Sequence, residues 1–107
     1  MMSRAGEHAY DARLTWTGNR GGGTATYEGY DRDYRISISG KADLVGSAHA
    51  QFRGDPAVHD PEDLLLGAIT GCHMLAYLAL CARNGVSVLA YEDEARGTLR
   101  LDRDGGG

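Results

Sequence analysis

Two thiols, Cys72 and Cys81, are the strongest nucleophiles available to this chain. A thiol attacks only as its thiolate, and at an ordinary pKa near ~8.5 only about 3% is ionised at pH 7. Lowering that pKa by ~2 to 3 units takes ~3 to 4 kcal/mol of preferential thiolate stabilisation. Cys72 lies in the middle of a long apolar run, far from any helix terminus, so a cation has to be delivered to it from elsewhere. Arg20 is the candidate cation, because it sits in the turn Gly18-Asn19-Arg20-Gly21-Gly22-Gly23, where small neighbours leave an approach open. Glu62, at the start of the same apolar run, is the third candidate. Each has a plainer reading. Cys72 would be a small core hydrophobe, Arg20 a solvated loop cation, and Glu62 a carboxylate complementing a helix dipole.

Spacing restricts these residues further. Glu62 and Cys72 are ten positions apart, which on one straight helix means about 15 Å of rise and a rotation of about 80°. They meet only if the helix breaks near Gly67 or Gly71, or if Glu62 of one chain reaches Cys72 of another. Cys72 and Cys81 are nine positions apart. That places them on opposite faces and about 13 Å from each other, too far for a disulfide that needs Cα atoms within ~7 Å. Cys81 therefore reads as a core or interface residue. His73 adjoins Cys72, but helix neighbours diverge by about 100° and do not share a metal without distortion. His8, His49 and His59 show no ligand spacing with either thiol, so neither a metal nor a cofactor is expected. Gly21-Gly22-Gly23 has no helix behind it and does not make a phosphate loop.

Composition narrows the function classes. A chain of 107 residues allows one small domain with a modest core, a size at which oligomerisation is a common support. The net charge of -4 argues against nucleic acid. Every basic residue except Lys41 is Arg, so a single arginine is weak grounds for function. Two cysteines do not make a disulfide framework, and the polar stretch from Met1 to Asp11 lacks the pattern of a secretory signal. A reducing cytoplasm is the expected location. Leu64 to Ala82 is nineteen residues without a fixed charge, long enough to span a bilayer. Gly67, Thr70, Gly71 and His73 interrupt its hydrophobicity, and a buried central helix in a soluble protein is the preferred reading.

The elements that position these side chains follow from periodicity. Residues 8 to 17 alternate, with Tyr10, Ala12, Leu14 and Trp16 on one side, as a half-buried strand does. After the glycine turn a second strand is expected over Thr24 to Tyr30, closing a hairpin. Tyr34, Ile36 and Ile38 suggest a third. Residues 40 to 59 lack a period and read as an irregular connection. Asp60 is a good N-cap, Pro61 suits the first helical position, and Glu62 and Asp63 complement the dipole. Arg83 and Asn84-Gly85 mark the stop. Between them leucines and other apolar residues occupy every side of the wheel, so protein is expected all around, a partner subunit included. Val86, Val88 and Ala90 suggest another strand, and Thr98 to Leu101 its continuation or return. Asp102-Arg103-Asp104-Gly105-Gly106-Gly107 has turn chemistry with no strand after it, which reads as truncation.

The run Asp60-Pro61-Glu62-Asp63-Leu64-Leu65-Leu66 followed by Gly71-Cys72-His73-Met74-Leu75 closely resembles the central helix of the OsmC/Ohr thiol peroxidases, in the OsmC-like branch. Trp16-Thr17-Gly18-Asn19-Arg20-Gly21, Gly85-Val86 and Tyr91-Glu92-Asp93-Glu94-Ala95 resemble that branch in order and spacing, so the likeness runs over most of residues 8 to 107. The resemblance implies an α+β fold, with antiparallel strands around a long buried helix, in an intertwined homodimer with its sites at the dimer interface. It implies one OsmC-like domain over residues 1–107 that lacks the family's C-terminal part. Cys72 matches the peroxidatic cysteine, Arg20 the arginine of the glycine-rich turn, and Glu62 the acidic residue ten positions earlier. The implied activity is reduction of organic hydroperoxides through a Cys72 sulfenic acid, with peroxide and a thiol reductant as partners. The family's resolving cysteine lies in the part this chain lacks, and Cys81 is not placed to replace it. A rival reading is a non-enzymatic dimer module that binds an apolar ligand or partner.

Overall fold

The computed structural model describes residues 6–102. Strands β1 (Arg13–Trp16), β2 (Tyr34–Ser37) and β3 (Leu44–Gly46) precede a single turn of 3-10 helix, Ala50–Phe52, and one long helix, α1 (Pro61–Arg83). The architecture is α+β. The chain divides between Pro61 and Glu62 into two compact units, each described separately below.

The first unit holds a three-stranded antiparallel sheet in the order β1-β2-β3. Leu14 pairs with Ile36, Trp16 with Tyr34, Ile36 with Leu44 and Tyr34 with Gly46, so alternation gathers the apolar side chains on one face. Arg13, Thr15, Arg35 and Ser37 take the other. The ring of Tyr34 occupies the space over Gly46, where an added Cβ would come within 2.5 Å of it. β3 arises in the stretch expected to be irregular. Its short alternating Leu44-Val45-Gly46 adds an edge, and a parallel bridge from Gly46 to His59 continues it.

No strand forms over Thr24 to Tyr30. That segment is a chain of turns, with Ala25 N–H donating to Gly22 O and Gly29 N–H to Thr26 O. The partner of β1 is β2, and residues 17 to 33 form a closed loop between them. Thr17 N–H donates to Asp33 O and Asp31 N–H to Gly18 O, both at 2.9 Å. Arg32 explains why the segment stays folded on itself. Its guanidinium lies 4.3 Å from the Tyr27 ring centroid and 3.7 Å from that of Tyr30, and it donates to the carbonyls of both residues. A loop whose polar backbone and aromatic rings are satisfied by one cation has nothing to gain from pairing as a strand.

The second unit is built on α1, which runs without interruption from Pro61 to Arg83. Its end is a Schellman turn. Gly85 takes φ +72°, Val86 N–H donates to Cys81 O at 2.9 Å, and Gly85 N–H donates to Ala82 O at 3.4 Å. Residues 86 to 102 then make no regular secondary structure. They return along one face of the helix instead of forming the expected strand. Tyr91 packs on Tyr77 with ring centroids 6.0 Å apart, and a Cβ on Gly97 would meet Leu66 at 3.7 Å. Among the described residues no other element of this unit offers an edge to pair with. The glycine-rich end, residues 103–107, and residues 1–5 lie outside the described residues.

Helix α1 is not enclosed by the return segment of its own unit. Among the described residues Cys81 is the only buried hydrophobic side chain, whereas Leu65, Ile69 and Leu80 are exposed at 61%, 58% and 58%. The sheet's apolar face is likewise open, with Leu14 67% exposed. α1 is also long and apolar enough to cross a membrane.

Candidate functional site

The continuity of α1 decides one question about the thiol. Because no break occurs at Gly67 or Gly71, Glu62 and Cys72 of one chain stay about 15 Å apart along the axis and do not meet. Glu62 lies in the first turn, beside Asp63, where its carboxylate complements the dipole. Cys72 is a free thiol and exposed, and Cys81 is free and buried.

Helical geometry gives Cys72 a defined setting. Leu65, Ile69, Cys72, Ala76 and Leu80 follow one another at steps of three and four residues, which lines them along one side of α1. All five are exposed. The thiol therefore sits midway along an uncovered apolar stripe. The return segment covers a different side, the one that carries Leu66 and Tyr77.

Arg20 belongs to the first unit and is held by its own loop. Its Nη2 donates to Glu28 O at 2.5 Å and its Nε lies 3.5 Å from Asp31 Oδ1. Asn19 shapes the turn beneath it, its Oδ1 accepting from Gly21 N–H at 2.9 Å and from Gly23 N–H at 3.0 Å. Gly18 is required at the neck, since a Cβ there would overlap Asp31 O. Trp16 Nε1 donates to the same carbonyl at 2.8 Å. The arginine is thus exposed but positioned, its charge partnered by an equally exposed carboxylate.

The sequence singled out Arg20 as a candidate but not the two residues that organise its loop, Asp31 and Arg32. The spacing Tyr27-Glu28-Gly29-Tyr30-Asp31-Arg32 carried a signal. Aromatics three apart with an arginine just beyond suit a stacked guanidinium better than an alternating strand. Among the described residues no group of three or more His, Cys, Asp or Glu is arranged to hold a metal ion.

Among the described residues Tyr77 shows the one electrostatic perturbation of note. Its side-chain hydrogen bond to Cys81, one turn further on, raises the phenol above its ordinary value of 10.0, with smaller contributions in the same direction from the Cys81 charge, burial and Tyr91.

No family model matches the chain, and no curated protein or solved structure matches it.

Proposed function

We propose that the chain is a cysteine-dependent peroxidase of the OsmC/Ohr kind, acting on organic hydroperoxides as an intertwined homodimer in the cytoplasm. The observation that carries this reading is Cys72 itself. It is an exposed free thiol at the centre of an exposed apolar stripe, the setting a peroxide with an apolar tail needs once a second chain closes over it. In that dimer Arg20 stabilises the thiolate, and Glu62 of one chain orients the arginine at the Cys72 of the other.

The chemistry balances with a thiol as reductant. The Cys72 thiolate attacks the terminal peroxide oxygen, an S–O bond forms and the O–O bond breaks. The leaving alkoxide takes a proton and departs as an alcohol, and the sulfur is left as sulfenic acid. One external thiol condenses with the sulfenic acid, releasing water and giving a mixed disulfide. A second external thiol attacks that disulfide, returning Cys72 and releasing the oxidised reductant.

One feature favours a dimer in water over a bilayer as the surroundings of α1. The return segment lies along the helix with irregular backbone, and irregular backbone is not tolerated against lipid because its polar groups go unpaired.

The test is addition of one equivalent of cumene hydroperoxide, followed by mass analysis of the Cys72 peptide and by turnover with dithiothreitol. Oxidation at Cys72, with consumption abolished in Cys72→Ser, is the expected result. Equal peroxide consumption by both proteins, with no adduct at Cys72, would point instead to a dimer module that binds an apolar ligand.

A further inference from the structure

Beside α1, on the side away from Cys72, lies an open cleft of about 340 Å³ lined by His73, Tyr77, Val88, Ala90, Tyr91 and Glu92. His73 and Tyr77 are one turn apart on the helix, and their side of it is rotated by about 100° or more from Cys72. The other four residues come from the return segment. All six belong to the second unit.

The chemistry of the lining is one-sided. Tyr77 and Tyr91 stand with centroids 6.0 Å apart and planes inclined at 47°, a ring pair packed in contact that lines the cleft along one wall. Aromatic faces carry negative potential and attract cations within about 6 Å of the ring centroid. Glu92 adds a carboxylate at the same wall, and no lysine or arginine lines the cleft. Val88 and Ala90 supply a small apolar floor suited to methyl or methylene groups. A phenol is neutral at pH 8, so both rings act as π faces and not as anions.

We infer that this cleft is a binding site for a small organic cation, of the quaternary or alkyl ammonium class, held against the cleft-facing side of the Tyr77–Tyr91 pair and neutralised by Glu92. The site is independent of the thiol chemistry: it uses a different side of α1 and none of Cys72, Arg20 or Glu62.

The experiment is a titration of the full chain at pH 8, followed by the ring proton signals of Tyr77 and Tyr91. Choline is the probe, 3,3-dimethylbutan-1-ol is its uncharged counterpart of the same shape, and sodium chloride at matched concentration is the salt control. Choline is expected to give saturable shifts at both rings, with the alcohol binding at least about five-fold more weakly. Tyr91→Leu and Glu92→Gln are expected to weaken choline by about two- to five-fold each, the range of exposed cation–π contacts. Tyr91→Phe retains the ring and is expected to bind as the parent does, which separates loss of the aromatic face from loss of the fold. Equal binding of the alcohol, shifts reproduced by sodium chloride, or unchanged affinity in both Tyr91→Leu and Glu92→Gln would overturn the assignment.

Discussion

The carbonyl of Asp31 sits where a side chain on Gly18 would begin, leaving no room for an added Cβ. Those two residues close the neck of the loop that carries Arg20, with Asp31 N–H donating to Gly18 O at 2.9 Å. The same carbonyl takes the indole N–H of Trp16. One backbone group thereby ties the end of β1, the glycine-rich turn and the return to β2.

Gly18→Ala tests that neck. The contact is with backbone, which has little freedom to move aside, so the substitution is expected to cost about 1 to 3 kcal/mol. Trp16 is the chain's single tryptophan, so its fluorescence reports directly. A red-shifted emission and a lower urea midpoint are expected, and an unchanged spectrum would show that the neck opens without cost.

Arg32 is expected to be irreplaceable by lysine. Its planar guanidinium stacks between two rings while donating to two carbonyls, and a lysine ammonium reproduces the charge without that geometry. Arg32→Lys should lose about 1 to 2 kcal/mol, close to the loss in Arg32→Ala. Full retention of stability in the lysine variant would reduce the cluster to a charge effect.

The proposed partnership of Glu62 with a second chain's Cys72 predicts complementation. Cys72→Ser and Glu62→Gln dimers should each be poor peroxidases. A mixed dimer regains one intact site, because the chain with Glu62→Gln contributes its cysteine and the chain with Cys72→Ser its glutamate. Random mixing should then restore about a quarter of the wild-type rate, half of the dimers being mixed and half of their sites intact. No recovery on mixing would place both residues of a working site in one chain.

Stability at high pH should depend on Tyr77. Its phenol is raised above 10.0 in the folded chain, so the folded state holds that proton more tightly than the unfolded state. The resulting stability is fully present below pH 10 and is lost as pH rises through the folded value. Cys81→Ala removes the leading cause of the shift, and the Tyr77 ring carbon signal should then titrate at lower pH. An unmoved titration would show that the hydrogen bond to Cys81 is not what holds the proton.

How much of this was legible in the sequence divides by the range of the interactions involved. Asp60-Pro61 and Asn84-Gly85 act within a turn of themselves, so the bounds of α1 could be read from residue types alone. The alternation of Leu14 with Trp16 and of Tyr34 with Ile36 likewise placed β1 and β2 and their apolar face. Thr24 to Tyr30 went the other way because Arg32, outside the segment, captured both of its tyrosines. Val86 to Ala90 carried strand-like residues, yet without an edge to pair with it lay down against the helix through Tyr91 and Leu66.

The residue types and their spacing determined that a thiol would stand in the middle of an apolar helix, because composition and capping are local properties. Only the tertiary structure decided that the helix continues past Gly67 and Gly71, that Asp31 and the Glu28 carbonyl hold Arg20, and that the cysteine faces outward along an open stripe. Each of those depends on which side of an element its neighbours leave uncovered, and a one-dimensional pattern does not contain the neighbours.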